Sequence, residues 1–444
     1  MRRTSALTQP GIPWRYGLLP DVLSNGTQNP ARTVAIFTVH GIGDQRHAET
    51  ANAMRVGFEA AVDCADENCS IVAEAGVPYV HDGWWGNYDD FEASMPEVAA
   101  TLGAEERAEL VQLFRARSLS GPRTLMWFIG RLLRMISPKT LVKVGITRYI
   151  TYLLMGLLSV LGMIGLLIRM PRVMATIVND VRVYGGPEGD TERAICENID
   201  RRVAAAFLRM FGLDLNLDEL PDEKKIHLES KPVTFDTVVW VSHSLGTVIS
   251  YNTMLDVVSI CRDAINAASH HEPTDITLKR AEAAQRVIAG FHRFITMGSP
   301  LQKATFLFEE CLRDELESST LLSWLTSQRM AIGRTMDEWW MNYYLVMDPV
   351  SGRLLHTQRF KKFVRNIHPS YMGLPAASHT SYWSKKLVSS PILSRALGKE
   401  VFPYNWQVAE WGEKRVSFTR VIAFFLVVSL PFIIYYALRW YFSF

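Results

Sequence analysis

Paired or patterned cysteines are missing from this 444-residue chain. The five present, Cys64, Cys69, Cys196, Cys261 and Cys311, are odd in number and match no zinc spacing. A disulfide framework is therefore not expected, a reducing compartment is favoured, and neither a metal nor any other cofactor is implied. Also lacking is a signal-peptide core: Arg2 and Arg3 are followed by the mostly polar Thr4–Gln9 and then Pro10, so Sec export is not expected. A formal net charge of +2 gives no global attraction for nucleic acid, and no Walker-type loop is present to hold a nucleotide phosphate. Repeats and low-complexity tracts are absent, which excludes a solenoid. Acidic residues are locally missing: none lies between 110 and 179, and Asp348 is the only one between Glu338 and Glu400. The length would allow two or three average domains, but the motifs run from near residue 40 to near residue 380, which favours one elaborated domain.

Ser242-His243-Ser244-Leu245-Gly246 follows the strand-like Thr237–Val241 and precedes the helix-like Thr247–Met254. A serine at a sharp strand-to-helix turn has its Oγ lifted above the sheet edge. The N–H of the following residue, Leu245, then points at a developing oxyanion. The usual pattern is G-x-S-x-G, and Ser242 stands here where the first glycine would be, at some steric cost in a crowded elbow.

Three other segments complete the chemistry such a serine requires. Val34–Val39, apolar and rich in β-branched residues, suits a parallel strand buried on both faces, and it runs into His40-Gly41-Ile42-Gly43. Glycines there allow close backbone approach to a ligand, and the Ile42 N–H is the candidate second oxyanion donor. His40, Gly41, Gly43 and His243 are then the residues beside the substrate. A nucleophilic serine also needs a base held in the right tautomer by a carboxylate. Asp348, after the strand-like Tyr343–Met347, opens an Asx-Pro turn and is the isolated carboxylate of a long basic stretch. Of the downstream histidines, His356 lies very near Asp348 in sequence and His368 precedes a proline. His379, at the mouth of a helix-like segment, is the candidate base.

The order Ser244, Asp348, His379, with the segments HGIG, SHSLG, GSP at 298–300, DPVS and HTSYW, resembles the α/β-hydrolase superfamily, and within it lipase- and phospholipase-like members. The resemblance spans roughly Val34 to Leu397. It implies a mostly parallel sheet flanked by helices, ester hydrolysis through an acyl-enzyme, and no metal. A thioesterase or acyltransferase would share the triad, and an inactive hydrolase-fold scaffold is the reading from another class.

Two apolar segments point to lipid. Ile150–Ile168 is uncharged and, as a helix, would be about 28 Å long, close to the hydrocarbon thickness. Its surroundings carry Arg115, Arg117, Arg123, Arg131, Arg134, Lys139, Lys143, Arg148, Arg169 and Arg172, which an anionic leaflet attracts. Because His40-Gly41 and Ser244 must meet in one site, the chain between them can cross a bilayer only an even number of times. The segment is then an interfacial or re-entrant helix, or one arm of a hairpin with Leu125–Ile136. Val421–Leu438 is a second uncharged run, with Tyr435, Tyr436, Trp440, Tyr441 and Phe442 near its far end and Lys414, Arg415 and Arg420 before it. It reads as a C-terminal membrane anchor that leaves the catalytic domain on the cytoplasmic side.

The expected organisation is an irregular arm over 1–33, a first hydrolase part over 34–109, a basic membrane-associating insertion over 110–175, a second hydrolase part over 176–418, and an anchoring helix over 419–444. Within these, helices are expected at Glu49–Val62, Thr191–Phe211, Lys279–Phe291 and Thr305–Leu316, and a strand at Ser70–Ala75. An aromatic loop is expected over His81–Tyr88 and a polar linker over Leu215–Lys231.

Overall fold

Four strands rich in apolar residues, Asn29–Val39 (β2), Thr237–His243 (β6), Phe291–Met297 (β7) and Trp340–Tyr343 (β8), run parallel at the centre of a seven-stranded sheet. In this computed structural model the described residues are 18–21, 29–41, 49–62, 79–83, 184, 190–228, 230–270, 272–307, 312–334, 339–345, 348, 350–354, 363–369, 378–379, 381–383, 386–397 and 422. Leu18–Asp21 (β1) pairs antiparallel with the first half of β2, and Tyr79–Asp82 (β3) pairs parallel with its second half. From β2 the order continues β6, β7, β8 and Val364–Ile367 (β9), all parallel. Antiparallel Ile226–Leu228 (β4) and Lys231–Val233 (β5) form a separate small sheet.

Side chains alternate across a strand, so each central strand supplies two layers. One face, with Phe37, Val238, Trp240, Phe294 and Trp340, packs on helices Asp190–Arg209 (α2), Gly246–Ala268 (α3), Asp275–Gly290 (α4) and Glu315–Ala331 (α6). The other, with Ile36, Val239, Val241, Ile295, Met297 and Met341, packs on Glu49–Val62 (α1) and Lys386–Leu397 (α7). A strand covered on both sides has no polar face, which is why all seven residues of β6 are buried. Phe37, Phe207, Phe291 and Phe294 surround Trp240 at centroid separations of 4.5–6.0 Å, and its indole N–H donates to Ser250 Oγ at 2.9 Å. A short helix, Leu301–Leu307 (α5), follows β7. The protein is thus of the α/β class.

The N-terminal arm is not wholly irregular. Its residues 18–21 and 29–33 form a pair whose register slips between Leu19 and Asp21, at Pro20, which has no N–H to donate. The boundary expected at residue 33 falls inside β2, which starts at Asn29. The linker expected at Leu215–Lys231 contains a 3₁₀ turn at Asp222–Lys224 and the hairpin β4–β5, in which Ile226 and Leu228 reach the core between charged neighbours. His81 and Asp82 are strand rather than loop, and residues 84–88 lie outside the described residues, as does the strand expected at Ser70–Ala75. The single helix expected at Thr305–Leu316 is instead the end of α5 and the start of α6. The side chain of Asp314 accepts the N–H groups of Leu316 and Glu317 at 2.8 and 3.1 Å and starts a new helix there. The helix expected to run through Phe291 stops at Gly290, where a Cβ would lie 2.4 Å from the Phe211 ring and 2.9 Å from the Asp236 carbonyl oxygen.

Strands from both sides of the 110–175 insertion share one sheet, so the two expected hydrolase parts are one body. The insertion lies outside the described residues, and so do 419–444 apart from the exposed Ile422. Among the described residues no helix is long and apolar enough to cross a membrane.

Candidate functional site

Parallel strands end together, and the carboxyl edge of such a sheet is where the connecting turns of several strands can meet. β6 ends at His243, and Ser244 follows with φ +55° before α3 begins at Gly246. A left-handed backbone at a side chain bearing a Cβ costs about 1–3 kcal/mol and must be held by its surroundings. The Ser244 N–H donates to the Met297 carbonyl at 3.1 Å, and its carbonyl accepts the Thr247 N–H at 3.0 Å and the Thr247 hydroxyl at 2.7 Å. Two glycines make the space. A Cβ at Gly41 would lie 2.6 Å from Ser244 Cβ, and one at Gly246 would lie 2.1 Å from the His40 carbonyl oxygen. Ser242 fits where a glycine was expected: it is fully buried, and its hydroxyl faces the Ile295 carbonyl at 3.4 Å across β7.

Asp348 follows β8 and His379 lies beyond β9, and the structure brings both to Ser244. His379 Nε2 is 2.9 Å from Ser244 Oγ, and its Nδ1 is 3.0 and 3.1 Å from the two oxygens of Asp348. With the carboxylate accepting the Nδ1–H, Nε2 is left as acceptor for the serine hydroxyl. Asp348 is completely buried. Burial by itself would raise its carboxyl pKa, but His379, the Tyr382 hydroxyl (2.8 Å) and the Val350 N–H (2.8 Å) outweigh it and hold the carboxyl well below the usual range. The Asx turn read from Asp348-Pro349 and the carboxylate that orients His379 coexist: Asp348 Oδ1 serves both.

Leu245, buried as the first residue of the turn into α3, has no acceptor for its N–H among the described residues. Its position next to Ser244 suits an oxyanion donor. Ile42 and Gly43 lie outside the described residues, so the second expected donor has no geometry here. Gly41 and His40 are buried against the elbow, and His40 Nδ1 lies 2.8 Å from the Gly41 carbonyl oxygen. His243 is buried rather than open to a substrate: Nε2 lies 2.7 Å from the His379 carbonyl oxygen, with the Tyr382 and Trp383 rings alongside. It is the last residue of β6 rather than part of a loop. His368 is buried edge-on to Tyr344, 5.2 Å between centroids, and His356 lies outside the described residues.

Tyr382 was not singled out from sequence. Its hydroxyl donates to Asp348, accepts the Leu345 N–H at 2.9 Å and lies 3.1 Å from Ser351 Oγ. Burial, followed by the neighbouring carboxylate, pushes the phenol well above its ordinary pKa, so it stays a donor. Its place in HTSYW, three residues after the base, is the only sequence signal. Thr247 and Ser299 form a buried pair at 2.8 Å that ties the start of α3 to the turn after β7, where Gly298 takes φ +59°.

A cavity of about 750 Å³ lies elsewhere, between α2 and α3, and is lined by residues including Tyr184, Glu197, Asp200, Asn252 and Arg313 but by none of Ser244, Asp348 and His379. Among the described residues no His, Cys, Asp and Glu cluster is arranged to hold a metal ion. The arrangement can transfer a proton from a serine hydroxyl to an imidazole held by a buried carboxylate. Compared with protein-family models, curated proteins and solved structures, the chain finds no match.

Proposed function

We propose that this chain is a serine hydrolase with an α/β-hydrolase fold, which cleaves a carboxylic ester through an acyl-enzyme. The observation that carries the reading is the continuous hydrogen-bonded path from Ser244 Oγ through His379 to buried Asp348, with Ser244 in a left-handed turn. Ser244 Oγ attacks the ester carbonyl carbon as its proton passes to His379 Nε2, and Asp348 stabilises the imidazolium. The tetrahedral oxyanion is met by the Leu245 N–H and, on the resemblance of the HGIG segment, by that of Ile42. Collapse breaks the ester C–O bond, and His379 returns the proton to the departing alcohol. Water, activated by the same histidine, then frees the acid and Ser244. Ser242, which stands where the usual pattern has its first glycine, is accommodated beside Ser244 with its hydroxyl facing the Ile295 carbonyl.

The substrate class is a lipid or phospholipid ester at a membrane on whose cytoplasmic side the domain sits. Support comes from Ile150–Ile168, the basic residues around it and Val421–Leu438, whose length and composition suit lipid contact. The test is labelling by a fluorophosphonate probe together with hydrolysis of lipid vesicles. Wild-type protein is expected to label and to release fatty acid. Ser244→Ala should not label and should lose activity by several orders of magnitude, on the order of 10⁶-fold where a triad serine is removed. Equal turnover by both proteins would overturn the reading.

A further inference from the structure

The buried histidine next to the nucleophile has no part in the proton path, yet it touches the base. We infer that His243 is a positioning residue for the triad, its Nε2–H donating to the main-chain carbonyl of His379 at 2.7 Å and fixing the residue that carries the base. The inference rests on the hydrolase reading above and deepens it.

Ser244 and His243 are consecutive, at the end of a strand whose seven residues are all buried. One holds the substrate-attacking oxygen and the other grips the backbone of the base. The spacing between nucleophile and imidazole is therefore set from one peptide unit of rigid sheet. His379 comes late in the chain, beyond β9, and is not itself a strand residue. Its ring is tied to Asp348 and Ser244, and its main chain to His243. Without that last bond the imidazole could still meet the carboxylate while swinging about it, and the 2.9 Å contact with Ser244 Oγ would lengthen.

The surroundings keep His243 suited to this use. Burial, and then the neighbouring His379, hold its pKa down to about 3, so it donates an N–H without adding positive charge beside the imidazolium that His379 becomes. The two rings lie 4.8 Å apart. The other groups facing it are Asp348, the rings of Tyr382 and Trp383, and Gly298. A Cβ at Gly298 would lie 3.0 Å from His243 Nε2 and 3.1 Å from the Tyr382 ring, and with φ +59° the position favours glycine. The turn after β7 thus leaves room for the imidazole.

The test compares His243→Gln, whose amide nitrogen can take the place of Nε2, with His243→Asn, one methylene too short, and His243→Leu, which has no donor. Turnover of a soluble short-chain ester is read as kcat and KM, with fluorophosphonate labelling rate, melting temperature and the low-field proton resonance of the His379–Asp348 hydrogen bond. The Asn and Leu variants are expected to lose roughly 10- to 100-fold in kcat with KM unchanged, the size of effect attached to misplacing a catalytic group by about 1 Å. Their low-field resonance should broaden, and the Gln variant should recover most of both. If the Leu variant does not fold, the Asn and Gln pair decides. Wild-type kcat and resonance in the Asn variant, or no advantage of Gln over Asn, would overturn the role of His243 while leaving the hydrolase standing. A wild-type protein that neither labels nor turns over ester would overturn the hydrolase reading, and this inference with it.

Discussion

Replacing Tyr382 by Phe removes one oxygen and leaves the ring in place. That oxygen donates to the Asp348 carboxylate at 2.8 Å, accepts the Leu345 N–H at 2.9 Å and lies 3.1 Å from Ser351 Oγ, all inside the protein. A hydrogen bond to a charged group contributes about 1.5–3 kcal/mol, and an orphaned buried donor such as the Leu345 N–H costs about 1–3 kcal/mol before relaxation. These contributions overlap, and Asp348 keeps its bonds to His379 and to the Val350 and Ser351 N–H groups. A net loss of about 2–4 kcal/mol is therefore expected in denaturant unfolding at pH 7. The pH dependence has a definite sign. The folded-state pKa of Asp348 is depressed, so its stabilisation is complete above the ordinary carboxylate value and fades as pH falls through the folded value. The gap between wild type and Tyr382→Phe should accordingly be widest near neutrality and narrow below about pH 4. Activity should fall about tenfold, less than on loss of the carboxylate, because the His379 tautomer is still fixed. Unfolding curves that coincide at pH 7, with equal kcat, would refute the claim that this hydroxyl supports Asp348.

Asp348→Asn leaves the shape of the site and offers His379 the wrong partner, so kcat in ester turnover should drop on the order of 10⁴-fold with the fold retained by circular dichroism. Gly41→Ala would set a Cβ 2.6 Å from Ser244 Cβ; displacement of the elbow should slow fluorophosphonate labelling by about 10²-fold, and unchanged labelling would show that the two turns are not packed as described. Asp200, beside the cavity between α2 and α3, is raised by burial to about 7 despite a 2.6 Å hydrogen bond from Tyr184. A raised carboxylate favours the folded state below its unfolded value, and that advantage is lost as pH rises towards 7. Asp200→Asn should therefore gain on wild type between about pH 4 and 7. Full burial would make the difference about 4 kcal/mol, but Asp200 keeps part of its surface exposed beside the cavity, so about 1–2 kcal/mol is expected in urea titrations at the two pH values.

What sequence alone determined here was local. The runs VAIFTV and TVVWV carry no polar face, and a strand of that composition must be covered on both sides, which already implies a parallel sheet between helix layers. Ser244 was legible because a serine between a buried strand and a helix has few ways to turn. Asp348 was legible because it is alone among basic neighbours. The register of each strand, the pairing of Leu18–Asp21 with β2 and the β4–β5 hairpin were not, since hydrogen-bond pairing between strands leaves no periodic trace in sequence. His379 was preferred to His356 and His368 from its place in the sequence, but its contact with Ser244 depends on where a segment beyond β9 returns to the sheet edge, which only the folded chain decided. The same return puts Tyr382 on the carboxylate and the His379 carbonyl on His243. These are contacts across 34 and 136 positions, made by side chains whose identity alone fits equally well in a core.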